Sequence, residues 1–287
     1  MARFEYSEPP TLDDAVRQLR EGSGGSMLLA GGTDLLVQIR EHVRRPTQVV
    51  NIKKILGMDE LAFDPVAGLR IGALTTIRAI ETSPLVRQHY AGLHRASVHF
   101  ASIQVRNRAT VVGNVCRASP SADTLPPLIA DGAIAHLHGG GGTRSVAVED
   151  FCTGPGKSVL RADELVTHLQ VPAPAPHTGK VYLKHGRRVE MELATVGVAV
   201  TLRRDGAACG EIRIVLAAVA PTPLRAVAAE AVLRHRDVTP ARIAAAAEAA
   251  MAEARPIGDV RGSADYRRRM VGVLTRRAIE QAWEAAT

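Results

Sequence analysis

The sequence predicts an α+β fold in two parts, a two-part N-terminal α/β domain at 1–172 and a C-terminal antiparallel sheet with helices at 179–287, with a linker at 173–178 between them. Three observations predict it. A short apolar run from Met27 to Ala30 ends in the turn Gly31-Gly32, continues into helical spacing from Leu35 to Arg40, and returns to a second apolar run at Val49 to Ile52. That is the strand, turn, helix, strand order of layered α/β structure. The stretch Pro172 to Thr178 holds Pro-Ala-Pro-Ala-Pro, a semi-rigid spacer. Beyond it strand-like runs come first and helical runs afterwards, as in an α+β unit.

The elements follow in order. Thr11 is placed to cap a helix with Asp13 and Asp14 in its first turn, Ala15, Val16 and Leu19 on one face and a stop at Gly22. Leu69 to Thr75 reads as a strand, Thr76 to Glu81 as a short helix and Leu85 to Phe100 as mostly helical. Ser102 to Asp123 is rich in Gly, Asn, Arg, Ser and Pro and reads as a long irregular loop, a feature that usually carries function. Leu125 to Ala130 resumes a helix, and Ala133 to Leu137 and Glu164 to Val171 are strands. The first domain thus divides into subdomains at about 1–56 and 57–172. In the second, Val181 to Lys184, Leu193 to Arg203 and Glu211 to Val219 read as strands with a turn at Asp205-Gly206. Helices are expected over Pro223 to His235, Pro240 to Ala254 and Ser263 to Ala286.

Composition removes several function classes. With 287 residues, 46% hydrophobic and 23% charged, the chain can bury a sizeable core. Only 3% is aromatic, too little for base-stacking platforms. The net charge of +7 is dispersed, and its densest cluster, Arg267, Arg268, Arg269, Arg276 and Arg277, reads as a solvated or subunit-docking face rather than a nucleic-acid site. Three separated cysteines, Cys116, Cys152 and Cys209, suit a reducing compartment and are too few for an iron–sulfur cluster. No apolar leader and no membrane-length apolar run is legible, so the chain reads as cytoplasmic with no membrane span.

Two segments carry candidate chemistry. Adjacent glycines in Gly31-Gly32-Thr33 let backbone N–H groups approach an anion such as a pyrophosphate, although a plain strand-to-helix turn would use the same residues. No GxGxxG follows a strand, so a doubly wound dinucleotide site is disfavoured. In Arg106 to Asn114, Thr110 and Asn114 lie beside a small-residue turn, and the Asp123 carboxylate can accept two hydrogen bonds from a ribose diol or simply cap a turn. Gly154-Pro155-Gly156-Lys157-Ser158 ends like a P-loop but has Phe151 where the first glycine belongs. His136 and His138 share a strand face without a third metal ligand. His89, His94 and His99 read as surface residues, and no nucleophile elbow or triad is present.

Taken together, Leu29 to Leu36, Phe100 to Asp123 and Lys184 to Ala194 resemble the FAD-binding medium subunit of molybdenum hydroxylases, the group of carbon monoxide dehydrogenase and the flavin portion of xanthine dehydrogenase. The resemblance covers nearly the whole chain and implies a PCMH-like FAD domain. It implies that Leu29, Ala30, Gly31, Gly32, Thr33, Asp34 and Leu35 form one loop around the FAD pyrophosphate, and Thr110, Val111, Val112, Gly113 and Asn114 a second. Asp123 then serves the adenosine part, Phe100 lies near the cofactor, Val166 and Lys184 are further flavin contacts, and Leu193 stands beside the isoalloxazine ring. No catalytic acid, base or metal ligand is implied.

The implied function is electron exit from a dehydrogenase complex. An iron–sulfur small subunit and a molybdopterin large subunit are the implied partners, and an acceptor such as NAD or a quinone takes the electrons from the flavin. A free-standing FAD oxidoreductase acting on a small organic substrate is the other enzymatic reading, and a basic binding module without cofactor the non-enzymatic one. One departure stands out. Val112 occupies a position where the family usually has glycine, as does Ala109, and a positive φ at 112 would cost about 1–3 kcal/mol.

Overall fold

The computed structural model describes residues 3–188 and 190–286. A small parallel sheet opens the chain, with the strand Gln48–Asn51 between Glu5–Ser7 and Ser26–Leu29. The helix Leu12–Glu21 starts where expected, its Thr11 hydroxyl accepting the Asp14 N–H, and it buries Ala15, Val16 and Leu19. A five-stranded antiparallel sheet follows, in the order Leu61–Asp64, Gly68–Gly72, Leu165–Val171, Ile134–Gly139, Gly142–Ala147. The outer strands Leu61–Asp64 and Gly142–Ala147 carry exposed polar or small residues at alternate positions. They have little apolar patterning, and sequence reading missed them.

The segment 102–123 is not an irregular loop. It holds the helices Ile103–Arg106 and Val111–Arg117, started by Ser102, which accepts the Val105 N–H, and by Thr110, which accepts the Gly113 N–H at 3.0 Å. Two of the polar residues that suggested a loop, Ser102 and Thr110, are caps, which satisfy orphan amides of a helix start. Val112 sits inside the second helix and is not among the residues with positive φ, so the strain expected there does not arise. The left-handed residue is Ala118, one step past the helix end, with φ 50°.

In the C-terminal half the strands Thr178–His185, Val196–Asp205 and Ala208–Ala217 form an antiparallel sheet extended by Leu224–Arg225, with Arg236–Asp237 pairing at Ala208. The expected hairpin at Asp205-Gly206 is present, Asp205 pairing with Ala208. The second strand begins at Val196 rather than Leu193, leaving Leu193 in the preceding loop. The near-continuous apolar run Val196 to Val200 is explained by coverage on both faces. Val196, Val198 and Val200 pack against the helices Val227–Leu233, Pro240–Glu253 and Ala264–Ala285, whereas Tyr182, Ala199 and Val215 join the core of the N-terminal half.

The basic cluster near the end is not uniformly solvated. Arg267 is 2% exposed and donates to the carbonyls of Thr195 and Ala218 and to Asp259, while Arg269, Arg276 and Arg277 remain on the outer face of the helix.

Candidate functional site

A cavity of about 770 Å³ opens between the small parallel sheet, the segment 100–123 and the end of the five-stranded sheet. That volume is in the range of cofactor sites. Its first wall is the turn after Ser26–Leu29. The residue Gly32 has φ of 76°, a conformation open to glycine at little cost. The Leu36 N–H bonds to the Gly32 carbonyl, so the helical turn begins before Leu35–Arg40. Among the described residues, the N–H groups of Thr33, Asp34 and Leu35 find no acceptor.

The second wall is the start of the helix Val111–Arg117. It is stitched to the segment that follows the strand Gly68–Gly72 by the Val111 N–H to the Thr75 carbonyl and the Ile77 N–H to the Ala109 carbonyl. The Thr110 hydroxyl occupies the Gly113 N–H, and among the described residues the Val112 N–H meets no acceptor. The two turns touch. A Cβ on Gly31 would run into the Arg108 carbonyl and come within 2.9 Å of the Ala109 Cα. Arg117, seven residues past the Thr110 cap, reaches back to Asp34 at 2.5 Å and ties the turns together. Free amides converging on one cavity at two helix starts are the donor set a dianion requires.

The cavity brings together Ala30, Gly31, Gly32, Thr33, Asp34, Leu35, Thr110, Val112, Gly113 and Asn114 from the two motifs, with Phe100, Asp123, Val166 and Leu193 from elsewhere. Leu29 and Val111 lie outside its lining, buried in the core. Lys184 is also outside the lining. Its ammonium bonds to Asp123 at 2.8 Å and to the His99 carbonyl at 3.2 Å. The other Asp123 oxygen accepts the Tyr182 hydroxyl at 2.8 Å. Desolvation raises the Asp123 carboxyl above the usual carboxylate range, opposed by Lys184 and by both hydrogen bonds. Burial pushes the Tyr182 hydroxyl well up, so it stays a donor.

Deeper in the wall, Glu164 is clasped by Arg144, Nε to Oε1 and Nη2 to Oε2 both at 2.7 Å, which holds its carboxyl below the ordinary range. Cys116 faces the cavity as a neutral thiol, burial pushing its pKa up to about 12, and is therefore a poor nucleophile. His136, once paired with His138 on pattern alone, stacks on His168 at 4.3 Å, while His138 binds Asp13 at 2.8 Å. Sequence reasoning missed Arg117 and Tyr182. The register from a correctly read Thr110 cap would have aimed Arg117 at the turn, and the alternation Lys180, Tyr182, Lys184 marks one polar strand face.

Residues 2–174 match the model of the FAD binding domain in molybdopterin dehydrogenase, and residues 181–282 match the CO dehydrogenase flavoprotein C-terminal domain. The chain belongs to the FAD-binding medium subunits of the molybdenum hydroxylases. This medium subunit is 34% identical over 281 residues to the carbon monoxide dehydrogenase medium chain of Hydrogenophaga pseudoflava, covering 98% of this chain and 97% of that one. It is 31% identical over 282 residues to the xanthine dehydrogenase FAD-binding subunit of Escherichia coli O157:H7, covering 98% and 96%. Among solved structures it is similar to carbon monoxide dehydrogenase from Hydrogenophaga pseudoflava lacking the Mo-pyranopterin moiety, with a TM-score of 0.96, 35% identity and 99% of each chain covered. Quinoline 2-oxidoreductase from Pseudomonas putida 86 follows the same fold, with a TM-score of 0.92, 28% identity and 99% and 98% coverage. The medium subunit binds FAD and is a subunit of an FAD-dependent oxidoreductase. Among the described residues no helix is long and apolar enough to cross a membrane.

Proposed function

We propose that the two turns hold the diphosphate of FAD and that this medium subunit passes electrons, received from iron–sulfur clusters in a small partner subunit, through the flavin to an external acceptor such as NAD or a quinone. In this reading a molybdopterin large subunit oxidises the substrate, and the assembly works in the cytoplasm. The chain divides for this task at the proline-rich linker, 1–172 forming the cofactor domain and 179–287 the flavoprotein C-terminal domain. The observation that carries the reading is the set of unpaired amides at Thr33, Asp34, Leu35 and Val112 around one cavity.

Bound FAD supplies reversible one- and two-electron chemistry. The protein's share is binding and orientation. The amides donate to phosphate oxygens without a competing acceptor, each charge-assisted bond contributing about 1.5–3 kcal/mol. Asn114 and Thr110 hold the second turn in register, the Asn114 side-chain oxygen accepting the Thr124 hydroxyl at 2.7 Å. Leu193, half exposed in the loop before Val196–Asp205, and Val166 offer apolar surface to the ring. No side chain is assigned as general acid or base. Val112 lends nothing to the free-standing oxidoreductase reading, because its helical backbone is unstrained.

Coexpression with neighbouring large- and small-subunit genes tests the proposal. Stoichiometric FAD released on denaturation, copurification of both partner chains and flavin reduction by substrate are expected. A flavin that only a substrate added to the isolated chain reduces would replace it with the free-standing reading.

A further inference from the structure

We propose that Lys184 is a positioning residue that acts through this chain's own Phe100 segment and Asp123, fixing two walls of the cavity from the C-terminal half. The inference rests on the FAD reading and goes past the contact that family resemblance implies for Lys184. The side chain is 9% exposed and its ammonium is spent within the protein, on Asp123 and on the His99 carbonyl. That carbonyl belongs to a gathered set. Arg106 Nη1 takes the Val98 carbonyl at 3.3 Å and the Phe100 carbonyl at 3.0 Å, so three successive carbonyls at the end of the helix Ala91–Val98 each meet a cation. Cations complement the negative end of a helix. Phe100, which lines the cavity, is thereby set on Lys184 and Arg106, and Asp123, which also lines it, is set on Lys184 and Tyr182.

The same strand supplies an internal control. Lys180, Tyr182 and Lys184 alternate onto one face, and Lys180 pairs with Asp131 at 2.9 Å just as Lys184 pairs with Asp123. The two aspartates bracket the helix Leu125–Ala130. Lys180 and Asp131 do not line the cavity, so the pairs share chemistry and differ in place.

Losing Lys184 leaves a buried carboxylate without its countercharge, beside a cavity meant for a dianion, and the cost is that of the orphaned charge. Lys184→Met is therefore expected to weaken FAD binding by about tenfold, and Asp123→Asn alone, which leaves the buried ammonium without its countercharge, by a similar factor. The double variant, with no charge on either side, is expected to recover most of that loss. Lys180→Met is expected to lower the melting temperature of the full chain while leaving FAD affinity within about twofold of wild type. Equilibrium FAD titration by fluorescence, visible circular dichroism of the bound flavin and melting of the apo-protein read these outcomes. If Lys184→Met does not fold, Lys184→Gln, which keeps a donor and drops the charge, is measured in the same cycle.

A double variant no better than Lys184→Met would mean that the ammonium or the Asp123 carboxylate acts on the cofactor directly rather than through their pairing, and would overturn the proposal. Equal losses of FAD affinity in Lys180→Met and Lys184→Met would overturn it as well, by reducing both pairs to general stability. Wild-type protein that takes up no FAD would defeat the reading beneath the proposal, an outcome separable from the other two.

Discussion

The two turns that meet at the cavity reach similar ends by opposite means. The first, after Ser26–Leu29, is glycine-led and leaves successive first-turn amides without a partner. The second starts at Thr110, spends one amide on its own cap and leaves the Val112 N–H open. A glycine turn gains access at the cost of rigidity, and a capped helix start gains rigidity at the cost of donors. Putting them in contact at Gly31 and Arg108-Ala109 gives one wall of free donors braced by a stiff one.

Substitutions that separate the turns should act most. In Gly31→Val the added carbons collide with the Arg108 carbonyl and the Ala109 Cα, both backbone, so the walls must part. Protein purified without bound flavin but with unchanged far-ultraviolet circular dichroism is the expected result, and full flavin retention would mean the contact is dispensable. Gly32→Ala comes next. Its φ of 76° costs a side chain about 1–2 kcal/mol. Its Cβ would also lie 2.8 Å from Leu29 Cδ1, and FAD affinity about tenfold weaker should be seen by fluorescence titration.

On the braced side, Thr110→Ala removes the cap on the Gly113 N–H at a cost of about 1 kcal/mol. A fewfold loss in affinity follows, which Thr110→Ser should recover. The smallest effect belongs to Arg117→Gln. The Arg117–Asp34 pair is 42% and 53% exposed and is worth at most about 1 kcal/mol. Its contribution should vanish in high salt, and a large effect that salt leaves untouched would show Arg117 to touch the cofactor itself.

The same contrast governs what was legible in the sequence. The first turn could be read because a short apolar run, two glycines and a return to helical spacing each leave a mark of their own. The second hid its helices inside a polar stretch, since Ser102 and Thr110 look like loop residues until their oxygens are seen on the Val105 and Gly113 amides. The outer strands Leu61–Asp64 and Gly142–Ala147 were invisible because a half-exposed edge has little apolar content to pattern. Arg267 looked like surface charge, and the long-range carbonyls of Thr195 and Ala218, with the Asp259 carboxylate, explain its burial. Of the site, local motifs were readable, whereas the Lys184, Tyr182 and Asp123 cluster joins residues too distant in sequence for spacing to reveal.

Hydrogen–deuterium exchange on the apo-protein and the FAD-loaded protein tests the central claim most directly. Cofactor binding should slow exchange in peptides covering 32–36 and 111–117 together, because the same phosphates occupy the open amides of both turns. Protection confined to one turn, or found only elsewhere in the chain, would contradict it.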